Sequence, residues 1–81
     1  MKEGILFVDD EDFILTLAER IFNDRGIEIL TTNKPTEALN LVKEHEIAVL
    51  VSDNMMPQMT GIELLSRVKI LSPDTVNILM T

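Results

Sequence analysis

Four apolar runs of five or six residues alternate along the chain with stretches whose apolar residues recur at helical spacing. The runs are GILFV (4–8), IEILTT (27–32), IAVLVS (47–52) and TVNILM (75–80). Runs this short and this rich in β-formers read as strands. Between the first two, Phe13, Ile14, Leu17, Ala18, Ile21 and Phe22 mark a helix that starts near Asp12. Arg25 and Gly26 supply its basic last turn and its stop. Between the second and third, Asn33 is the expected cap, Pro35 sits in the first turn, and Ala38, Leu39 and Val42 share a face. Between the third and fourth, Ile62, Leu64, Leu65, Val68 and Leu71 form another stripe, broken at Ser72-Pro73-Asp74. The order is βαβαβαβ. Strands alternating with helices imply a doubly wound parallel α/β sheet with right-handed crossovers. The first and third runs, apolar throughout, are expected to be buried on both faces.

With 81 residues there is room for one small domain, and 46% apolar residues suffice for a core. The absence of cysteine excludes disulfides and thiolate metal sites. No apolar run approaches the ~20 residues that span a bilayer. The start, MKEGILFVDDEDF, turns acidic too early for a signal peptide. A net charge of −7 disfavours nucleic acid, whose phosphates require a basic footprint. The expectation is a cytoplasmic protein without membrane or nucleic-acid contacts.

In an open α/β sheet, ligands bind beyond the carboxyl ends of the strands. The first strand ends in Asp9-Asp10, the second in Thr31-Thr32, the third in Asp53 and the fourth in Thr81. Adjacent parallel strands lie ~4.8 Å apart. If the first and third are neighbours, Asp9, Asp10 and Asp53 converge on one small volume. Three carboxylates that close repel one another unless a cation offsets them. Mg2+ suits an all-oxygen donor set that leaves room for water and phosphate. A single histidine and no cysteine supply zinc and copper poorly.

These residues resemble the receiver domain of bacterial two-component response regulators, of the flavodoxin-like, CheY-like fold. The resemblance rests on the acidic pair in ILFVDDED, the loop VSDNMMPQMTG and the threonine closing NILMT, and it spans Lys2 to Thr81. It implies that Asp53 accepts a phosphoryl group from a phosphohistidine on a sensor histidine kinase or phosphotransfer protein. It implies that Asp10 and Asp53 ligate Mg2+, that Asp9 orients its water shell, and that the Met55 backbone carbonyl adds a ligand. Thr81 becomes the hydroxyl that senses the phosphoryl group. Catalysis is then limited to self-phosphorylation and slow self-dephosphorylation, and any effector domain of the full-length protein would be the output.

Within the loop, Pro57 restricts φ and removes a donor, and Gly61 permits a tight path into the third helix. Thr60 stands where the family most often has aspartate, and either residue can cap a helix. Met55, Met56 and Met59 read as core or loop packing, His45 as a surface residue, Glu11 and Asp12 as a helix start, and Phe7, Phe13 and Phe22 as core. The family domain continues with a helix, a strand and a helix. Its lysine and aromatic switch have no counterpart here, and neither Lys43 nor Lys69 is placed to replace the lysine. The domain, 1–81, is therefore expected to be incomplete at its C-terminus and to self-associate through an exposed fourth strand or sheet face. Two other readings compete: a receiver-like interaction module that is not phosphorylated, and an aspartate-nucleophile phosphatase of the haloacid dehalogenase type. The second leaves VSDNMMPQMTG unexplained.

Overall fold

The computed structural model describes residues 4–80. Strands β1 (Gly4–Val8), β2 (Ile29–Thr32), β3 (Ile47–Asp53) and β4 (Val76–Met80) form one parallel sheet in the order β2-β1-β3-β4. Helices α1 (Asp12–Phe22), α2 (Pro35–Glu44) and α3 (Gly61–Leu71) connect them. This is the expected βαβαβαβ order, and β1 and β3 are neighbours.

Local chemistry explains where boundaries depart from expectation. β2 begins at Ile29 rather than Ile27, because its first ladder partner is Ile5, whose N–H donates to the Glu28 carbonyl at 2.9 Å. β3 ends at Asp53, as expected. β4 starts after Thr75, whose hydroxyl is bound instead to the Ile47 carbonyl at 2.7 Å. α2 is not capped by Asn33. The Asn33 amide donates to Asp12 Oδ1 at 3.1 Å, and Lys34 takes the cap position without a side-chain capping bond. α3 begins as expected: Thr60 Oγ1 accepts the Glu63 N–H at 3.2 Å, and Glu63 reaches back to Thr60. After α1 a short 3₁₀ turn, Asn23–Arg25, ends at Gly26 with φ 69°, a region that suits glycine.

α2 and α3 close one face of the sheet. Leu6, Val8 and Leu50 meet Ala38 and Val42 of α2 and Leu64 and Val68 of α3 in a buried cluster. Each fully buried leucine there contributes about 1.5–3 kcal/mol by leaving water. The other face carries α1, which packs Leu15 and Ala18 inward. Phe7 of that face meets Phe22 with ring centroids 5.8 Å apart.

β1 and β3 are not buried on both faces as their apolar runs suggest, and the exposed apolar sheet face that was expected is the one carrying α1. Burial alternates along β1, and Ile5, Phe7, Val49 and Val51 on the α1 side are only half-buried. α1 lies over β1 and β2, so β3 and β4 lack cover on that side among the described residues. Phe13 is not core either, being 72% exposed. Its helical spacing reports an apolar stripe, and nothing described covers the stripe's outer part. Because all pairs are parallel, the carboxyl ends of the four strands lie on the same edge of the sheet.

Candidate functional site

Register brings the acidic residues together. Val8 pairs with Ser52, so the next residues, Asp9 and Asp53, emerge level at the end of adjacent strands. The ladder continues just past both ends. The Asp9 N–H donates to the Thr32 carbonyl at 3.2 Å, and the Asn54 N–H to the Met80 carbonyl at 3.2 Å. The backbone carrying each carboxylate is thus held by a flanking strand. Carboxylate oxygens of Asp9, Asp10 and Asp53 all lie within 4.8 Å of one another.

Their environments differ. Asp9 is buried, Asp53 half-buried and Asp10 exposed. Burial pushes the Asp9 carboxyl above the usual carboxylate range; the Glu11 N–H, donated to Asp9 Oδ1 at 2.9 Å, opposes this, while Asp53 and Asp10 add to it by repulsion. Glu11 and Asp12 do not join the cluster. Glu11 stands at the N-cap position of α1 without a side-chain capping bond, and Asp12 occupies its first turn, where acid suits the positive end of the helix dipole.

Donor chemistry tests whether a divalent cation fits. Three hard oxygen donors, one with its pKa raised by burial and repulsion, form the set that an oxygen-preferring cation such as Mg2+ or Ca2+ would relieve. The residues present fit Mg2+.

The loop after Asp53 is shaped by close packing. The Gly61 N–H donates to the Asn54 carbonyl at 2.9 Å, and Asn54 Oδ1 accepts the Ile62 N–H at 3.4 Å. A Cβ at Gly61 would stand 2.5 Å from the Asp53 carbonyl oxygen and 2.6 Å from Leu79 Cδ1. Glycine is needed here for close approach of backbones, since no positive φ is involved. Met56 and Met59 are buried as packing residues, whereas Met55 projects outward, 76% exposed. His45 is exposed, as expected. Thr81 lies outside the described residues.

A cleft of about 220 Å³ opens beside Asp10, lined also by Asn33, Lys34, Pro35, Pro57 and Gln58. Of these, Pro57 alone was expected near the site. Gln58 lies within the VSDNMMPQMTG loop without an assigned role there, and Lys34 belongs to no motif; only its place just after the end of β2 could have flagged it. A larger hollow, about 330 Å³, is lined by Thr16, Glu19, Arg20 and Asn23 along α1 and its following turn. It lies away from the carboxyl ends of the strands, and the convergent acids decide the assignment instead.

The profile of the response regulator receiver domain matches residues 5–81. The chain belongs to the response-regulator receiver family. The receiver is 33% identical over 81 residues to sporulation initiation phosphotransferase F of Bacillus subtilis, covering all of this chain and 65% of that protein. Among solved structures it matches chemotaxis protein CheY4 of Vibrio cholerae, with TM-score 0.89, 30% identity, and 98% of this chain against 68% of that one. A CheY-like receiver from Methanospirillum hungatei superposes with TM-score 0.91 at 28% identity, over 98% of this chain and 63% of that one. The receiver thus spans about two thirds of the length of these relatives. No helix among its described residues is long and apolar enough to cross a membrane.

Proposed function

We propose that Asp53 is the phosphoacceptor of this receiver. The observation that carries the reading is the convergence of Asp9, Asp10 and Asp53 at adjacent strand ends. A carboxylate oxygen of Asp53 attacks phosphorus, and the bond from phosphorus to the donor's leaving group breaks. The leaving group departs with the electron pair, and a mixed anhydride forms on Asp53. Water later hydrolyses it and restores the carboxylate.

Asp10, Asp53 and the Met55 backbone carbonyl would hold Mg2+, with Asp9 orienting its water shell. Bound there, the ion offsets charge on the carboxylate and on the incoming phosphoryl oxygens. The Thr81 hydroxyl is assigned to sensing the modified state, giving it a hydrogen bond that the free state lacks. Pro57 and Gly61 keep the loop in one path. The chain's own chemistry is self-phosphorylation and slow self-dephosphorylation, in support of signalling rather than metabolism.

The proposed donor in the cell is a phosphohistidine on a sensor histidine kinase or phosphotransfer protein. If the chain is part of a longer polypeptide, an effector domain there would receive the output, and the proposed location is cytoplasmic. Neither nucleic acid nor a membrane is a partner of this domain. For the 81-residue chain itself, the uncharged β4, paired only with β3 among the described residues, favours pairing with a second copy. A monomer by sedimentation across a wide concentration range would remove that partner.

The test is intact mass after incubation with Mg2+ and acetyl phosphate, beside Asp53→Asn. One phosphoryl group, labile to base and absent from the variant, is expected. A chain that gains nothing would sink the phosphoacceptor reading for residues 1–81 and leave the interaction module in its place.

A further inference from the structure

Lys34 holds a position that its own helix does not explain. It stands at the cap of α2, where Ser, Thr, Asp or Asn would accept a free helix N–H, and its side chain makes no such bond. Its backbone is already tied: the N–H donates to Thr32 Oγ1 at 3.1 Å, and the carbonyl accepts the Ala38 N–H at 3.1 Å. The ammonium has no ion-pair partner among the described residues. A local rule broken without a structural return points to function.

Lys34 is also the one cationic residue lining the cleft beside Asp10, with Asn33 and Gln58 on the same walls and Pro35 and Pro57 as rigid sides. A phosphoryl donor approaching this sheet edge meets three carboxylates and a chain of net charge −7. A cation at the mouth of such a cleft raises the local concentration of small anions.

We propose that Lys34 determines how well small anionic phosphoryl donors of the acyl phosphate class are used. The proposal rests on Asp53 being the acceptor. In that transfer the Asp53 oxygen attacks phosphorus, the bond between phosphorus and the acyl oxygen breaks, and the acyl group leaves as a carboxylate with the electron pair. Lys34 acts on entry of the anion into the cleft, with Gln58 offering amide hydrogen bonds. It is a specificity residue and takes no part in the bond changes.

The test follows mass gain against acetyl phosphate concentration, with Mg2+ present, for the unmutated chain, Lys34→Ser, Lys34→Arg and the distant control Lys43→Ser. Lys34→Ser is expected to raise the half-saturating concentration about threefold, the scale of an exposed charge interaction, with the maximal rate unchanged. Arginine restores the original value, Lys43→Ser leaves it alone, and molar salt removes the difference. The same Lys34→Ser change installs a good cap and is expected to raise the melting temperature by about 4–8 °C. A more stable protein that uses its donor less well separates function from folding. An unchanged half-saturating concentration in a folded Lys34→Ser chain overturns the Lys34 assignment alone. Failure of the unmutated chain to gain a phosphoryl group overturns it together with the phosphoacceptor reading.

Discussion

The two faces of the sheet are built to different standards. On the α2–α3 side, Leu6, Val8, Leu50, Leu64 and Val68 are fully buried. On the α1 side, Val76 and Ile78 remain 59% and 46% exposed, and Phe13 more so. Both faces end at the same carboxyl edge, yet the site draws its rigidity from the closed one. Ser52, directly before Asp53, is fully buried on that side, and α3 is fastened to Asn54, directly after it. Stability is concentrated where it holds the acceptor in position, and the open face is free to serve contacts.

The comparison can be broken or sharpened by substitution. Leu50→Ala, on the closed face, is expected to cost about 2–5 kcal/mol. A chain of this size has a total of roughly 4–12 kcal/mol, so urea titration should show partial or complete loss of the folded state. Phe7→Ala, on the open face, removes a half-buried ring and its contact with Phe22. It is expected to cost about 2 kcal/mol, less than a fully buried ring would. Equal losses for the two variants would erase the distinction between the faces.

Thr60→Ala removes the capping box that fastens α3 and is expected to cost about 1 kcal/mol. At the edge where the faces meet, Asp9→Asn should stabilise. Because the folded chain holds the Asp9 proton more tightly than the unfolded chain does, stability falls as pH rises through the raised pKa and recovers as pH is lowered. Melting temperatures measured without divalent cation should show this slope in the unmutated chain and lose it in Asp9→Asn. Added Mg2+ should raise the melting temperature of the unmutated chain more than that of the variant. Phe13→Ser should change stability by no more than about 0.5 kcal/mol. A larger loss would mean that something covers α1 in solution.

Much of this was legible before any coordinates. Strand and helix periods differ so sharply between GILFV and the α1 stripe that the element order could be read directly. The rule of strand ends then named Asp9, Asp10 and Asp53. Three kinds of information were not legible. Periodicity gives the direction of an apolar stripe and says nothing of how much covers it, so Phe13 was misjudged. A cap is decided by competing hydrogen bonds, and the Asn33 side chain donates its amide N–H to Asp12, 21 residues away in sequence, instead of accepting an N–H of α2. Lys34 carries no signal in the sequence, because its significance depends on a cleft assembled from two loops.

The packing at Gly61 bears on how this sequence can drift. A methyl group there would overlap the carbonyl of the residue that carries the proposed chemistry; the Leu79 side chain could move aside, but the Asp53 carbonyl and Asn54 Cα are backbone and could not. In a library of all single replacements, position 61 should tolerate glycine alone, whereas exposed Met55, two residues from Asp53, should accept many alternatives. Within one loop, one site is closed to variation by the backbone and another is open to it. Lineages of this chain can therefore retune the surroundings of Asp53 while the path of the loop stays fixed.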